Sequence, residues 1–123
     1  MRAIILRFEG GPEFKGWLND CASADVLWSA LPISGEVSRW GSEIYIETDV
    51  ETALEASAKQ IVDKGDICIW SEARVLAIPF GPTPISLGDE CRLVAPVNVV
   101  GKIDSPLGLE QIREGDSLTL VRG

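Results

Sequence analysis

Arg39 is the only basic residue between Lys15 and Lys59, and Trp40 follows it directly. A planar guanidinium suits a carbonyl or carboxylate ligand, because its donors form a rigid fork and its face stacks on aromatic rings. Tyr45, Trp70 and Phe80 are further large aromatics able to wall an apolar pocket. Asn98 interrupts a Val-rich run, where a buried amide needs hydrogen-bond partners and an accessible one contacts a ligand. We therefore expect the ligand-binding set Arg39, Trp40, Tyr45, Trp70, Phe80 and Asn98. Each has a plainer alternative: Arg39 as a surface stem packed on Trp40, Trp70 and Phe80 as core, Tyr45 as surface.

Other chemistry is excluded early. The chain has no histidine, which removes Ser-His-Asp and Cys-His nucleophile systems and every His-ligated metal site. Cys21, Cys68 and Cys91 lie far apart with no C-x-x-C pair, neither a disulfide framework nor a zinc signature. Cys68, between Ile67 and Ile69, reads as a small buried hydrophobe. Reduced thiols fit a cytoplasmic location. Glu47, Asp49, Glu51 and Glu55 cluster, but their spacing matches no EF-hand loop and suits a solvated strand end. Gly81-Pro-Thr-Pro84 lacks the Lys-Ser/Thr of a phosphate loop and reads as a stiff connector, with one of its X-Pro bonds a candidate for cis. No metal and no cofactor is expected.

The formal net charge of −8 repels phosphate backbones, so nucleic acid is not an expected partner. Four apolar residues precede Arg7, too few for a signal-peptide core. No run approaches the ~20 apolar residues of a membrane span. At 123 residues the chain has the length of one domain, taken as residues 1–123.

The elements that must position these side chains are mostly short strands. Residues 3–8 and 13–18 flank Gly10-Gly11-Pro12 as a hairpin. Ala24, Leu27, Trp28 and Leu31 form one helical face, predicting a helix capped at Asn19 or Asp20 and stopped by Pro32. Residues 35–40 and 43–48 form a second hairpin, with Ile44 and Ile46 on one face and Glu43, Tyr45 and Glu47 on a wetter one. Helix formers at 52–62 predict a short helix. Strands are expected at 67–70, 74–80, 93–103 and 117–121, with Pro96 marking a bulge or edge. Ser105-Pro106 and Gly115 bound a last short helix carrying Leu109 and Ile112. The expected fold is mainly β: a closed eight-stranded barrel, which abolishes open edges, capped by two or three short helices.

Four blocks in order, Trp40-Gly-Ser-Glu-Ile-Tyr45, Gly65-Asp-Ile-Cys-Ile-Trp70, Phe80-Gly-Pro-Thr-Pro-Ile-Ser86 and Val97-Asn-Val-Val-Gly-Lys-Ile103, resemble a family of small microbial proteins of cyclophilin-like fold without a settled function. The resemblance spans essentially the whole chain and implies an eight-stranded, helix-capped barrel. Cyclophilins proper are peptidyl-prolyl isomerases. Val99-Val-Gly-Lys-Ile103 is similar to their V-F-G-K-V strand, and Arg39 stands as the counterpart of their catalytic arginine. Three positions depart: Trp40-Gly-Ser-Glu43 replaces the F-M-x-Q block, Val97 the pocket histidine, and Trp70-Ser-Glu-Ala-Arg74 a long loop. X-Pro rotation faces a barrier of ~18–20 kcal/mol, which a donor to the prolyl nitrogen lowers. Without the supporting polar residues a lone arginine is poorly preorganised for that task.

Three functions follow as expectations. The first is a binding module for a small molecule or proline-containing peptide in a pocket near Arg39. The second is a weak or vestigial peptidyl-prolyl isomerase using Arg39. The third is a subunit associated with a larger amide-processing enzyme, since cyclophilin-like barrels also occur in such enzymes.

Overall fold

Strand alternation sorts each segment into a buried and an exposed face before any contact is made. In β1 (Arg2–Phe8) it buries Ile4, Leu6 and Phe8, and in β2 (Glu13–Leu18) Phe14 and Leu18. The structure, a computed structural model, describes residues 2–123. Along the chain follow α1 (Ala22–Ala30), β3 (Ile33–Glu36), β4 (Ser38–Arg39), β5 (Glu43–Glu47), β6 (Lys59–Val62), β7 (Asp66–Trp70), β8 (Val75–Pro79), β9 (Cys91–Ile103) and β10 (Ser117–Arg122).

The ten strands form one antiparallel sheet in the order β3-β10-β1-β2-β9-β7-β8-β5-β4, with β6 added to β9. The expectation of a closed eight-stranded barrel is corrected in both count and closure. Residues 59–62 form a strand, and the segment expected as one strand at 35–40 is two, divided at Val37. That residue is buried and donates its N–H to the Asp116 carbonyl at 2.8 Å. The hydrogen-bonded ladder consequently ends at β3 and β4. β3 meets β5 by close packing instead: a Cβ on Gly35 would stand 2.9 Å from Ile46 Cβ.

Of the expected helices only α1 is an α-helix, and its Ala24 and Leu27 are buried as the periodicity requires. Its N-cap is Cys21, with no side-chain cap, rather than Asn19 or Asp20. The Ser23 N–H donates instead to Glu55 Oε2 at 3.1 Å, which places a negative charge at the positive end of the helix. Trp28 packs on the core between two guanidinium groups, with Arg2 Cζ 5.4 Å and Arg122 Cζ 4.5 Å from its ring. The expected helix at 105–115 shrinks to a 3-10 turn, Leu109–Gln111, which still buries Leu109 and Ile112. The cis X-Pro bond is Leu31–Pro32, not one in the loop at 81–84.

The helix expected at 52–62 fails because a residue far along the chain claims its backbone. Asn98 is 1% exposed; its Oδ1 accepts from the Glu55 N–H at 2.9 Å and its Nδ2 donates to the Ala53 carbonyl at 2.8 Å and to Ser23 Oγ at 2.9 Å. Those backbone groups are no longer free for an i→i−4 ladder, and Leu54 is left 60% exposed. Asn98 thus ties α1, the 52–58 segment and β9 together as a structural amide. Asn98→Ala strands these partners and should lower the unfolding free energy by about 2 kcal/mol, read by urea denaturation, with faster amide exchange at Glu55.

Two apolar clusters result, one on each side of β7. Ile67 and Ile69 point into the main core with Ile4, Leu6, Leu18 and Val100. Cys68 points the other way, fully buried as expected, into a smaller cluster with Val62, Cys91, Leu93 and Val97, against which Trp70 packs. The second cluster exists because β9 serves two partners. Its later half pairs with β2 and β7, while its first half pairs with β6. That latter pairing slips between Lys59 and Ile61, and Pro96 lies in the slipped stretch, where the missing N–H costs no ladder bond.

Candidate functional site

Cross-strand register decides which side chains share a face, because directly paired residues point the same way. Tyr45 pairs with Ala77, and Ala77 with Cys68; Glu43 pairs with Pro79. Glu43, Tyr45, Ala77 and Cys68 therefore occupy the side of the sheet opposite Ile44, Ile46, Leu76 and Ile78. The first half of β9 folds across this second side and covers part of it with Leu93 and Val97.

Between the sheet and that cover lies a pocket of about 240 Å³, lined by Trp40, Glu43, Tyr45, Trp70, Ala77, Leu93, Val94 and Val97. Of the six expected site residues it contains three: Trp40, Tyr45 and Trp70. Val97, the position resembling the cyclophilin pocket histidine, also lines it and contributes only apolar surface.

Alternation predicts a wetter face for Glu43, whereas the structure buries it to 6% exposure. Burial alone pushes its carboxyl up from 4.5 to about 7, since loss of water penalises the charged form. Among the described residues no Lys or Arg forms an ion pair with it, and no group donates a hydrogen bond to its side chain. Asp66, also buried and the first residue of β7, differs: it has Lys102 Nζ at 3.6 Å and accepts from the Asp63 N–H at 2.9 Å. The signal for Glu43 was present in the Trp40-Gly-Ser-Glu-Ile-Tyr45 block, which sets an acid flush with two aromatics.

Register also explains the absence of Arg39 and Phe80 from the lining. Arg39 pairs with Ile44, not Tyr45, so it points to the other side. There its Nη1 donates to the carbonyls of Ile112 at 2.8 Å and Glu110 at 3.2 Å, and its Nη2 to that of Gly41 at 3.2 Å. The guanidinium lies over the Phe80 ring, 5.1 Å from its centroid, rather than over Trp40. Arg39 thereby clamps β4 to the turn before β10. Asn98 is spent on the helix and loop described above, and it too stays outside the pocket.

The turn that swings Trp40 to the pocket side is held by the Gly81–Pro84 loop. Ser42 donates its N–H to the Pro82 carbonyl at 2.9 Å and accepts from the Phe80 N–H at 2.8 Å. Gly41 has φ +61°, and a Cβ there would lie 2.8 Å from Pro84 Cδ, so the W-G-S-E and F-G-P-T-P blocks interlock through a glycine. Thr83 donates from Oγ1 to the Arg92 carbonyl, anchoring the same loop to β9. The acidic run does no shared work. Glu51 pairs with Arg74 at 2.6 Å, while Glu55 caps α1.

A family model described as cyclophilin-like matches residues 2–121. The chain belongs to the cyclophilin-like family. The solution structure of a hypothetical protein from Archaeoglobus fulgidus is similar to this cyclophilin-like chain at 32% identity and a TM-score of 0.82, covering 99% of this chain and 95% of that one. No curated protein matches it. Among the described residues of this family member no helix is long and apolar enough to cross a membrane.

Proposed function

We propose that this cyclophilin-like chain is a binding module whose ligand sits in the pocket of Trp40, Tyr45, Trp70 and Val97 beside Glu43. The observation that carries this reading is the Glu43 carboxyl: a buried, unpaired acid among apolar walls is costly to keep and is useful where a ligand meets it. A volume of about 240 Å³ is below the ~300–1,000 Å³ of drug-sized sites, so the occupant is a small molecule or one side chain. The walls are aromatic and aliphatic, and the one carboxyl group fixes orientation.

The isomerase alternative is the weaker reading. Its proposed donor, Arg39, lies across the strand from this pocket with its nitrogens on three carbonyls, and no other guanidinium or amide side chain lines the cavity.

The test is titration of the protein with 3,3-dimethylbutan-1-ol and with toluene, followed by amide chemical shifts and tryptophan fluorescence. Saturable shifts at residues 43, 45, 70, 77 and 97, abolished by a cavity-filling Val97→Phe, are expected. A bound ligand at 100 times its Kd should add about 2.7 kcal/mol of stability. Shifts that stay linear for both compounds, or that persist in the filled variant, would overturn the reading.

A further inference from the structure

We infer that the pocket selects a compact alkylammonium, a cation whose charge meets Glu43 and whose methyl or methylene groups meet the faces of Trp40, Tyr45 and Trp70. The inference rests on the binding-module reading above and names its ligand class. Three of the eight lining residues are aromatic and one is an acid. The aromatic quadrupole presents its negative face to a cation, and the gain grows when the site is desolvated.

The acid supplies what rings alone lack. Glu43 is nine-tenths buried, lines the cavity, and has no ion-pair partner among the described residues, whereas the buried Asp66 already holds Lys102. A ligand cation would complete that missing pair, and a buried charge is tolerated when it is paired. The rest of the lining, Ala77, Leu93, Val94 and Val97, offers no hydrogen-bond donor or acceptor side chain, which suits an alkylated nitrogen better than a bare ammonium needing several acceptors. The net charge of −8 raises the local concentration of cations and disfavours an anionic ligand.

The chemistry is the same for a free quaternary amine and for a trimethylated lysine side chain. The experiment therefore compares choline, its neutral isostere 3,3-dimethylbutan-1-ol, and a short trimethyllysine peptide, each by isothermal titration and amide shifts at pH 8. Choline should bind about tenfold or more tighter than the isostere. Glu43→Gln should erase that preference while retaining the isostere, and its amide spectrum shows that it remains folded. A peptide binding tighter than choline supports the proposal and locates the source in a side chain; the reverse order supports it with a free amine. Equal or tighter binding of the isostere overturns the cation assignment and leaves the binding module standing. Failure of all three probes to bind overturns the cation assignment, and failure of toluene as well overturns the binding module.

Discussion

Glu43→Gln should make the folded protein more stable than wild type at pH 8 by about 3 kcal/mol, and leave it nearly unchanged at pH 4. In the folded state the Glu43 carboxyl keeps its proton up to about pH 7, whereas a glutamate in the unfolded chain gives it up near 4.5. Below 4.5 both states are protonated and the group costs nothing. As pH rises through the interval, the unfolded state gains by ionising while the folded state cannot, so wild-type stability falls. Above about 7 the loss is complete. Its size follows from ~1.4 kcal/mol per pH unit between the two values. Glutamine has the same shape and does not titrate, so the difference between variant and wild type isolates this one residue from all other carboxylates. Urea unfolding at half-unit steps from pH 4 to 9 reads it. A difference that is flat with pH would show that Glu43 is solvated, and would remove the feature on which the pocket assignment depends.

The second large effect is steric. Gly101→Ala should lower stability by about 3 kcal/mol, the upper part of the range for over-packing, and the melting midpoint by roughly 10 °C. β2 and β9 approach closely where Leu18 pairs with Gly101 and Gly16 with Ile103. A Cβ on Gly101 would collide with the Trp17 carbonyl oxygen and stand 3.1 Å from Leu18 Cα; one on Gly16 would stand 2.5 Å from the Lys102 carbonyl oxygen. Both obstacles are backbone, so no rotamer change relieves them. Gly11→Ala is the control, since its nearest contacts would be Phe8 Cβ at 3.5 Å and the Phe8 carbonyl at 3.7 Å, ordinary van der Waals distances. Paired melting curves for the two variants distinguish a clash from the general effect of losing a glycine.

Much of this architecture was legible because strands announce themselves by alternation. The hairpin of β1 and β2, the strands β5, β7, β8 and β10, and the apolar stripe of α1 stand where local pattern puts them. The failures share a physical cause: a distant residue supplied the deciding interaction. The 52–62 segment has helical composition, yet Asn98 holds its carbonyl at Ala53 and its amide at Glu55, a contact 43 residues away for the latter. Tertiary demand of that kind overrides a propensity worth a few tenths of a kilocalorie per residue.

The pocket was half legible for the same reason. Period-two alternation correctly set Glu43 beside Tyr45, but whether that side is wet depends on β9 crossing it, which no local window records. Gly16 shows the converse. By propensity a glycine weakens a strand, yet here it marks the place where two backbones come within touching distance. Arg39 drew attention by its isolation among acids. That isolation reflects a lone cation needed to collect three carbonyls at a turn, a structural task that composition does not distinguish from ligand contact.

The two ends of the main strand order, β3 and β4, belong to one uninterrupted piece of chain, the seven residues from Ile33 to Arg39. On one margin Gly35 is pressed against Ile46; on the other the Arg39 N–H donates to Glu114 Oε1 at 3.0 Å, and the Val37 carbonyl accepts from Gly115 at 2.8 Å. These contacts cover part of each margin from within the molecule, which makes edge-to-edge pairing with a neighbouring copy less favourable there. Insertions at Val37 should accordingly be felt first as clumping at high concentration, before any change in the amide signals of Glu43 and Tyr45.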